Sequence, residues 1–195
     1  MKSLILIFTF FSVFAFSQFT EKTKGIYQIN LVSVEENGKE INVENNTFNS
    51  ELFDITWKYN FTDFSFVLNN KSDYNIKINW NEISLIDQFG ENNKIFHSGI
   101  KYIDREKEQA ETMVYKKSKI TDLIAPIKNV YYEAGKYGGW KQNQILKVKS
   151  QTFGAYQFYN SLVDNSLIRI AMPLIINEKQ KDFIYTFKIE FQEKK

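Results

Sequence analysis

The run Phe183-Ile184-Tyr185-Thr186-Phe187-Lys188-Ile189-Glu190-Phe191 decides the fold. Phe183, Tyr185, Phe187, Ile189 and Phe191 fall on every second position, with Thr186, Lys188 and Glu190 between them. A period of two places one set on each face of an extended chain, the pattern of a strand with one face buried. The alternation recurs upstream. Phe53, Ile55, Trp57 and Tyr59 oppose Asp54, Thr56 and Lys58; Phe64, Phe66 and Leu68 repeat it, and Ile76, Ile78 and Trp80 face away from Asn75, Lys77 and Asn79. The stretch Asn69-Asn70-Lys71-Ser72-Asp73 has turn composition, so the runs on either side of it are expected to form a hairpin. Residues 167–176 are apolar on both faces, as a central strand is.

Further strands are expected over 25–34, 39–43, 83–87, 93–97, 120–124, 129–133 and 145–149. Turn residues separate them at Glu35-Glu36-Asn37-Gly38, Gln88-Phe89-Gly90-Glu91 and 177–181. The connectors are too short for helical crossovers, which favours antiparallel pairing. Many short strands at this spacing predict an all-β, immunoglobulin-like antiparallel sandwich. Residues 104–111 are the one polar stretch suited to a short helix, and 135–143 and 153–165 read as irregular. The two terminal strands, 25–34 and 182–192, are expected at sheet edges, where free N–H and C=O groups invite strand addition by a partner.

The amino terminus carries an address. Lys2, an apolar run from Leu4 to Phe16, and Ala15-Phe16-Ser17 before Gln18 match a cleaved secretory signal, and the run is short for a membrane span. Removing 17 of the 195 residues leaves 178, the size of one domain (18–195), with no second long apolar run and thus no membrane-spanning segment expected. The expected location is the periplasm or the extracellular space. The chain holds no cysteine, which excludes disulfides, thiolate metal sites and a thiol nucleophile, so stability rests on packing. Its 25 basic and 23 acidic residues are interspersed, which argues against a nucleic-acid partner. Asn-x-Ser/Thr triplets occur at Asn45, Asn60 and Asn70, as expected by chance in an Asn-rich chain.

No catalytic or cofactor motif is present. His97 is the only histidine, and a zinc site needs three or four ligands, so it reads as a strand-end histidine bonded to backbone, with Ser98 beside it. A polysaccharide hydrolase would need two carboxylates facing each other; Asp54, Glu82, Asp87, Asp104 and Asp164 are the candidates, with nothing local to set them apart from surface charges. No metal or cofactor is expected.

Residues 131–159 differ in composition. They hold Tyr131, Tyr132, Tyr137, Trp140, Phe153, Tyr156, Phe158 and Tyr159, and four of the eight glycines, Gly135, Gly138, Gly139 and Gly154. Glycine allows a tight turn while flanking rings stand close together, which builds a stacking surface for a sugar face or a peptide. Tyr132, Tyr137, Gly138, Gly139 and Trp140 are the candidate ligand-binding residues, and an envelope protein or polysaccharide the expected partner. The alternative is that the aromatics cap the core and the glycines only turn the chain.

The order of 96–105, a polar gap, 118–126, and Val130-Tyr131-Tyr132 leading to Tyr137-Gly138-Gly139-Trp140 resembles exported bacterial β-sandwich proteins of uncharacterised role, often associated with the envelope. The resemblance implies an immunoglobulin-like fold and an envelope setting. This chain lacks the anchoring cysteine of the lipid-modified members.

Overall fold

The computed structural model describes residues 24–146, 157–158 and 163–193. The expected signal and its cut site, residues 147–149 of the strand expected over 145–149, and Phe153, Gly154, Tyr156 and Tyr159 lie outside the described residues. In chain order the strands are β1 (Lys24–Glu36), β2 (Lys39–Asn42), β3 (Thr47–Asn49), β4 (Phe53–Tyr59), β5 (Phe64–Asn70), β6 (Ile76–Ile78), β7 (Ser84–Ile86), β8 (Asn92–Phe96) and β9 (Thr112–Val114). They continue with β10 (Lys119–Pro126), β11 (Val130–Glu133), β12 (Gly139–Gln142), β13 (Gln157–Phe158), β14 (Leu167–Ala171), β15 (Leu174–Ile176), β16 (Lys179–Lys181) and β17 (Phe183–Glu193). Single turns of 3-10 helix at Trp80–Glu82, Tyr102–Asp104 and Ile127–Asn129 are the only helical pieces among the described residues.

All pairing among the described residues is antiparallel. Eleven strands make one sheet in the order β13-β1-β17-β14-β7-β8-β10-β5-β4-β3, with β2 also on β1, and the sheet curls into a half-barrel. A second sheet has the order β16-β15-β6-β9, and β11 and β12 form a separate two-stranded ribbon. The decisive run behaves as its periodicity requires: Phe183, Tyr185, Phe187 and Ile189 are buried and the residues between them only partly so. Trp57, Phe64 and Phe187 meet across the interior, with ring centroids 4.6 Å apart for Phe64 and Phe187 and 5.7 Å for Trp57 and Phe187.

Alternation fixes which face a residue takes and leaves its partner strand open, and three expectations fail on that account. The hairpin is made by β4 and β5, with Phe53 opposite Asn70 and Tyr59 opposite Phe64, while β6 belongs to the other sheet. Asn70 turns the chain from one sheet to the other: its side-chain N–H groups reach the carbonyls of Tyr74, Val114 and Tyr115, and its oxygen accepts from Ser72. Residues 167–176 are two strands. Pro173 has no N–H for a ladder, so β14 stays in the large sheet between β17 and β7, and β15 crosses to the small one. Leu167 and Arg169 are exposed, so β14 is central in pairing but one-sided in burial.

Of the two terminal strands β17 is internal, whereas β1 has β17 along one side and on the other only β13 at Lys24 and Gly25 and β2 from Ser33 to Glu36, so no described strand runs along its middle there. β1 and β17 pair with each other from Gly25–Glu193 to Glu36–Phe183, setting Tyr27, Ile29 and Leu31 against Phe191, Ile189 and Phe187, and β17 has β14 on its far side. The expected helix over 104–111 is also missing. Residues 104–107 close a single turn, with the Lys107 N–H on the Asp104 carbonyl at 2.9 Å, and the buried Gln109 then ties the chain to β8 and its end, donating from Nε2 to the Ile95 carbonyl at 2.8 Å and accepting from the His97 N–H at 3.2 Å.

The hairpin turns read as their residues demand. Asn37 and Gly38 between β1 and β2 both have positive φ, 49° and 83°, as the primed two-residue turn requires. Asn177 and Glu178 repeat this between β15 and β16. Asn46, at φ 56°, holds the two ends of the half-barrel together: its side-chain oxygen accepts from the Leu31 N–H of β1 at 2.6 Å and its carbonyl from the Trp57 N–H of β4 at 2.9 Å. Of the three glycosylation triplets, Asn60 and Asn70 spend their amides on internal hydrogen bonds, and Asn45 is exposed.

Candidate functional site

The segment 135–143, expected to be irregular, contains the return strand of a hairpin. Tyr132 pairs with Trp140 and Glu133 with Gly139. The periodicity was hidden because Trp140 is the only apolar side chain in β12. Gly135 and Gly139 carry φ of 124° and 133°, which L side chains rarely adopt, and the Gly138 N–H closes the tip on the Gly135 carbonyl at 3.0 Å. A Cβ on Gly138 would collide with the Glu133 carbonyl. Gly138→Ala is therefore expected to open the tip while changing global stability by less than about 1 kcal/mol, since the ribbon pairs with no strand of the half-barrel. Amide exchange that quickens throughout residues 130–142 but not in β5 or β17 is the supporting result.

The stem is fixed on two sides. Val130 packs with Phe96 and Ala125 in a small second core, with Tyr102 and Ile127 against it. Gln142 accepts from the Tyr102 hydroxyl at 3.0 Å and donates to the Thr62 carbonyl at 2.9 Å, while Asn143 N–H reaches the Asn129 carbonyl at 2.8 Å. Glu133 and Lys141 form an ion pair on the opposite face, which holds the Lys141 ammonium above its usual range.

Cross-strand register puts Tyr132 and Trp140 on the same face, rings 5.6 Å apart and edge to face. Tyr102 lies 6.4 Å from Trp140, and the Arg105 guanidinium sits over the Trp140 ring at 5.1 Å. Tyr102 and Arg105 carried no local signal in the sequence, because they reach Trp140 from far up the chain. Trp140 is 39% exposed, Tyr132 63% and Tyr137 85%. Held rings left in water on a braced ribbon can stack on a flat apolar face, and Tyr hydroxyls can add hydrogen bonds at its rim.

The remaining candidates are absorbed by local structure. His97 bonds through Nδ1 to the Asp122 carboxylate at 3.2 Å rather than to backbone, and its ring stacks on Trp80 at 4.0 Å. Ser98 Oγ donates to the same carboxylate at 2.6 Å, not to the imidazole, so the order of a hydrolytic triad is not formed. Asp54 pairs with Lys71, Asp87 with Lys128, and Asp104 with Lys107, while Asp164 accepts from the Phe191 N–H at 2.8 Å. Glu82 stands on a surface cleft with Asn81 and Glu108. Among the described residues no group of three or more His, Cys, Asp or Glu is placed to hold a metal ion, and no helix is long and apolar enough to cross a membrane.

Comparison of this chain with protein-family models, with curated proteins and with solved structures finds no match in any of the three.

Proposed function

We propose that the chain is an exported, non-enzymatic binding module of the cell envelope or the extracellular space, which holds a protein or polysaccharide against the β11–β12 hairpin through Tyr132, Tyr137, Gly138, Gly139 and Trp140. The observation that carries this reading is the exposure of those rings on a ribbon outside the main core; aromatics that served only to cap the core would be buried. The signal-like residues 1–17 support export. The crossing of β5 to β6 and β14 to β15 supports an immunoglobulin-like sandwich, in which the chain passes between layers at corners.

A double variant, Tyr132→Ala with Tyr137→Ala, changes two exposed side chains and keeps the fold. It is expected to lose at least tenfold in retention on insoluble envelope polysaccharide or in recovery of envelope proteins by pull-down. Equal retention and an unchanged set of recovered proteins would remove the hairpin from the reading.

A further inference from the structure

Phe61 stands in the β4–β5 turn with φ of 62° and its side chain 59% exposed. Eight non-glycine residues among the described ones have positive φ; five are asparagine, and Phe61 is the only apolar one. An aromatic residue in the left-handed region is strained, and asparagine is a residue that relieves the strain. The fold makes little use of the ring. It rests 5.7 Å from that of Tyr59, while the turn is clamped by Asn60, whose Nδ2 donates to Asp63 Oδ1 and Ser65 Oγ, both at 2.9 Å, and whose N–H reaches the Asp63 carbonyl at 2.9 Å. An exposed ring held on a strained backbone by other residues points to a role outside the fold.

The same turn is tied to the aromatic hairpin. The Phe61 carbonyl accepts from the Ile145 N–H at 2.8 Å, and the Thr62 carbonyl accepts from Gln142, which lies two residues from Trp140 and so about 7 Å along β12. Phe61 thus sits at the foot of the ribbon that carries Tyr132, Tyr137 and Trp140. Between Phe61 and Trp140 come the polar Thr62 and Gln142, not the continuous apolar centre of a protein interface. Separate exposed rings with polar groups between them match a chain of sugars, each with an apolar C–H face and a rim of hydroxyls.

Given the binding role proposed for the hairpin, on which this rests, we infer that Phe61 is a further contact residue of that site and that the ligand is a chain of β-linked pyranoses. One stretch of the chain lies on the Phe61 ring and another on the rings of β11 and β12. A single sugar or a dimer cannot reach both.

Calorimetric titration of the protein with chitohexaose and cellohexaose, and with their dimers chitobiose and cellobiose, tests this. At least one hexamer is expected to bind about tenfold more tightly than its dimer, roughly what an additional stacked ring supplies. Phe61→Asn is expected to keep or raise the thermal midpoint, because strain is released, and to lose the advantage of the hexamer. Phe61→Leu, apolar but not flat, should lose that advantage as well, and Phe61→Trp should retain it. Absence of saturable binding of both hexamers by the parent overturns the proposal, as does equal hexamer affinity in the parent and in Phe61→Asn. A thermal midpoint lowered by more than about 3 °C in Phe61→Asn also overturns it, since the ring would then be structural. Any of these results, with Tyr132→Ala and Tyr137→Ala together still losing envelope retention, removes Phe61 and the glycan chain and leaves the hairpin as a binding surface. Unchanged retention in that double variant removes the hairpin and this proposal together.

Discussion

Asn70→Ala is expected to lower the unfolding free energy by about 3–5 kcal/mol, the largest loss from any single side-chain amide among the described residues. The side chain is 1% exposed and stands where β5 ends and the chain turns away to the second sheet. Its Nδ2 lies 2.8 Å from the Tyr74 carbonyl, 3.2 Å from that of Val114 and 3.1 Å from that of Tyr115, while Oδ1 accepts from Ser72 N–H at 3.0 Å and Ser72 Oγ at 2.7 Å. Alanine removes the partners of five buried or half-buried groups at once, and each group left unsatisfied costs about 1–3 kcal/mol, partly recovered by relaxation and water. Ser72→Ala, which leaves the three carbonyls bonded, should cost only about 1 kcal/mol. Asn70→Asp should be worse than alanine near neutral pH, because a carboxylate oxygen would face carbonyl oxygens in place of an N–H. Guanidinium unfolding of the three variants gives the ranking, and a loss below about 1.5 kcal/mol for Asn70→Ala would show that the corner is held by something other than this amide.

That corner also shows where sequence reading stops. The stripes of β4, β5 and β17 and the turns at Asn37-Gly38 and Asn177-Glu178 were legible because side-chain period and backbone φ are local properties. Sheet membership is not local. In a chain so rich in asparagine, Asn70 has the appearance of one more turn residue, and only its distant partners, Val114 of β9 and Tyr115 just after it, reveal that it directs β6 into another sheet. Pro173 is a local mark of a break in 167–176, but a missing N–H does not say which sheet the residues after it join. The candidate site follows the same division. The rings of Tyr132, Tyr137 and Trp140 announced themselves by clustering, while Tyr102, Arg105 and the bracing contact to Thr62 depend on how the β4–β5 turn and the residues after β8 come to lie beside the ribbon.

Acid should weaken the junction of β8 and β10 before other parts of the half-barrel, through Asp122. These strands share only two paired positions, Ala125 with Phe96 and Pro126 with Ile95, and proline supplies no N–H. Beyond them the Asp122 carboxylate stands in for the ladder, accepting from Ser98 N–H at 2.9 Å, Ser98 Oγ at 2.6 Å, Leu123 N–H at 2.7 Å and His97 Nδ1 at 3.2 Å. The carboxylate accepts only, so the His97 proton sits on Nδ1 in this arrangement. Burial pushes the Asp122 carboxyl up, and the hydrogen bonds from His97, Ser98 and Leu123 outweigh it and hold the group below the usual range. A folded-state value below the unfolded one, about 3.9 for Asp, means the contribution is complete above that pH and is lost as pH falls through the lower folded value. Asp122→Ala is therefore expected to cost about 3–4 kcal/mol at pH 7, and Asp122→Asn, which keeps an acceptor for Ser98, about 2 kcal/mol. Both variants should also show a shallower loss of stability than the parent on acidification below about pH 4, because the titrating group is gone. Ser98→Ala should retain the steep acid limb and move it to higher pH, since one of the bonds that depress the carboxyl is removed. Unfolding free energies measured from pH 7 down to pH 3 separate these cases, and parallel acid limbs in the parent and in Asp122→Asn would assign the acid sensitivity to other carboxylates.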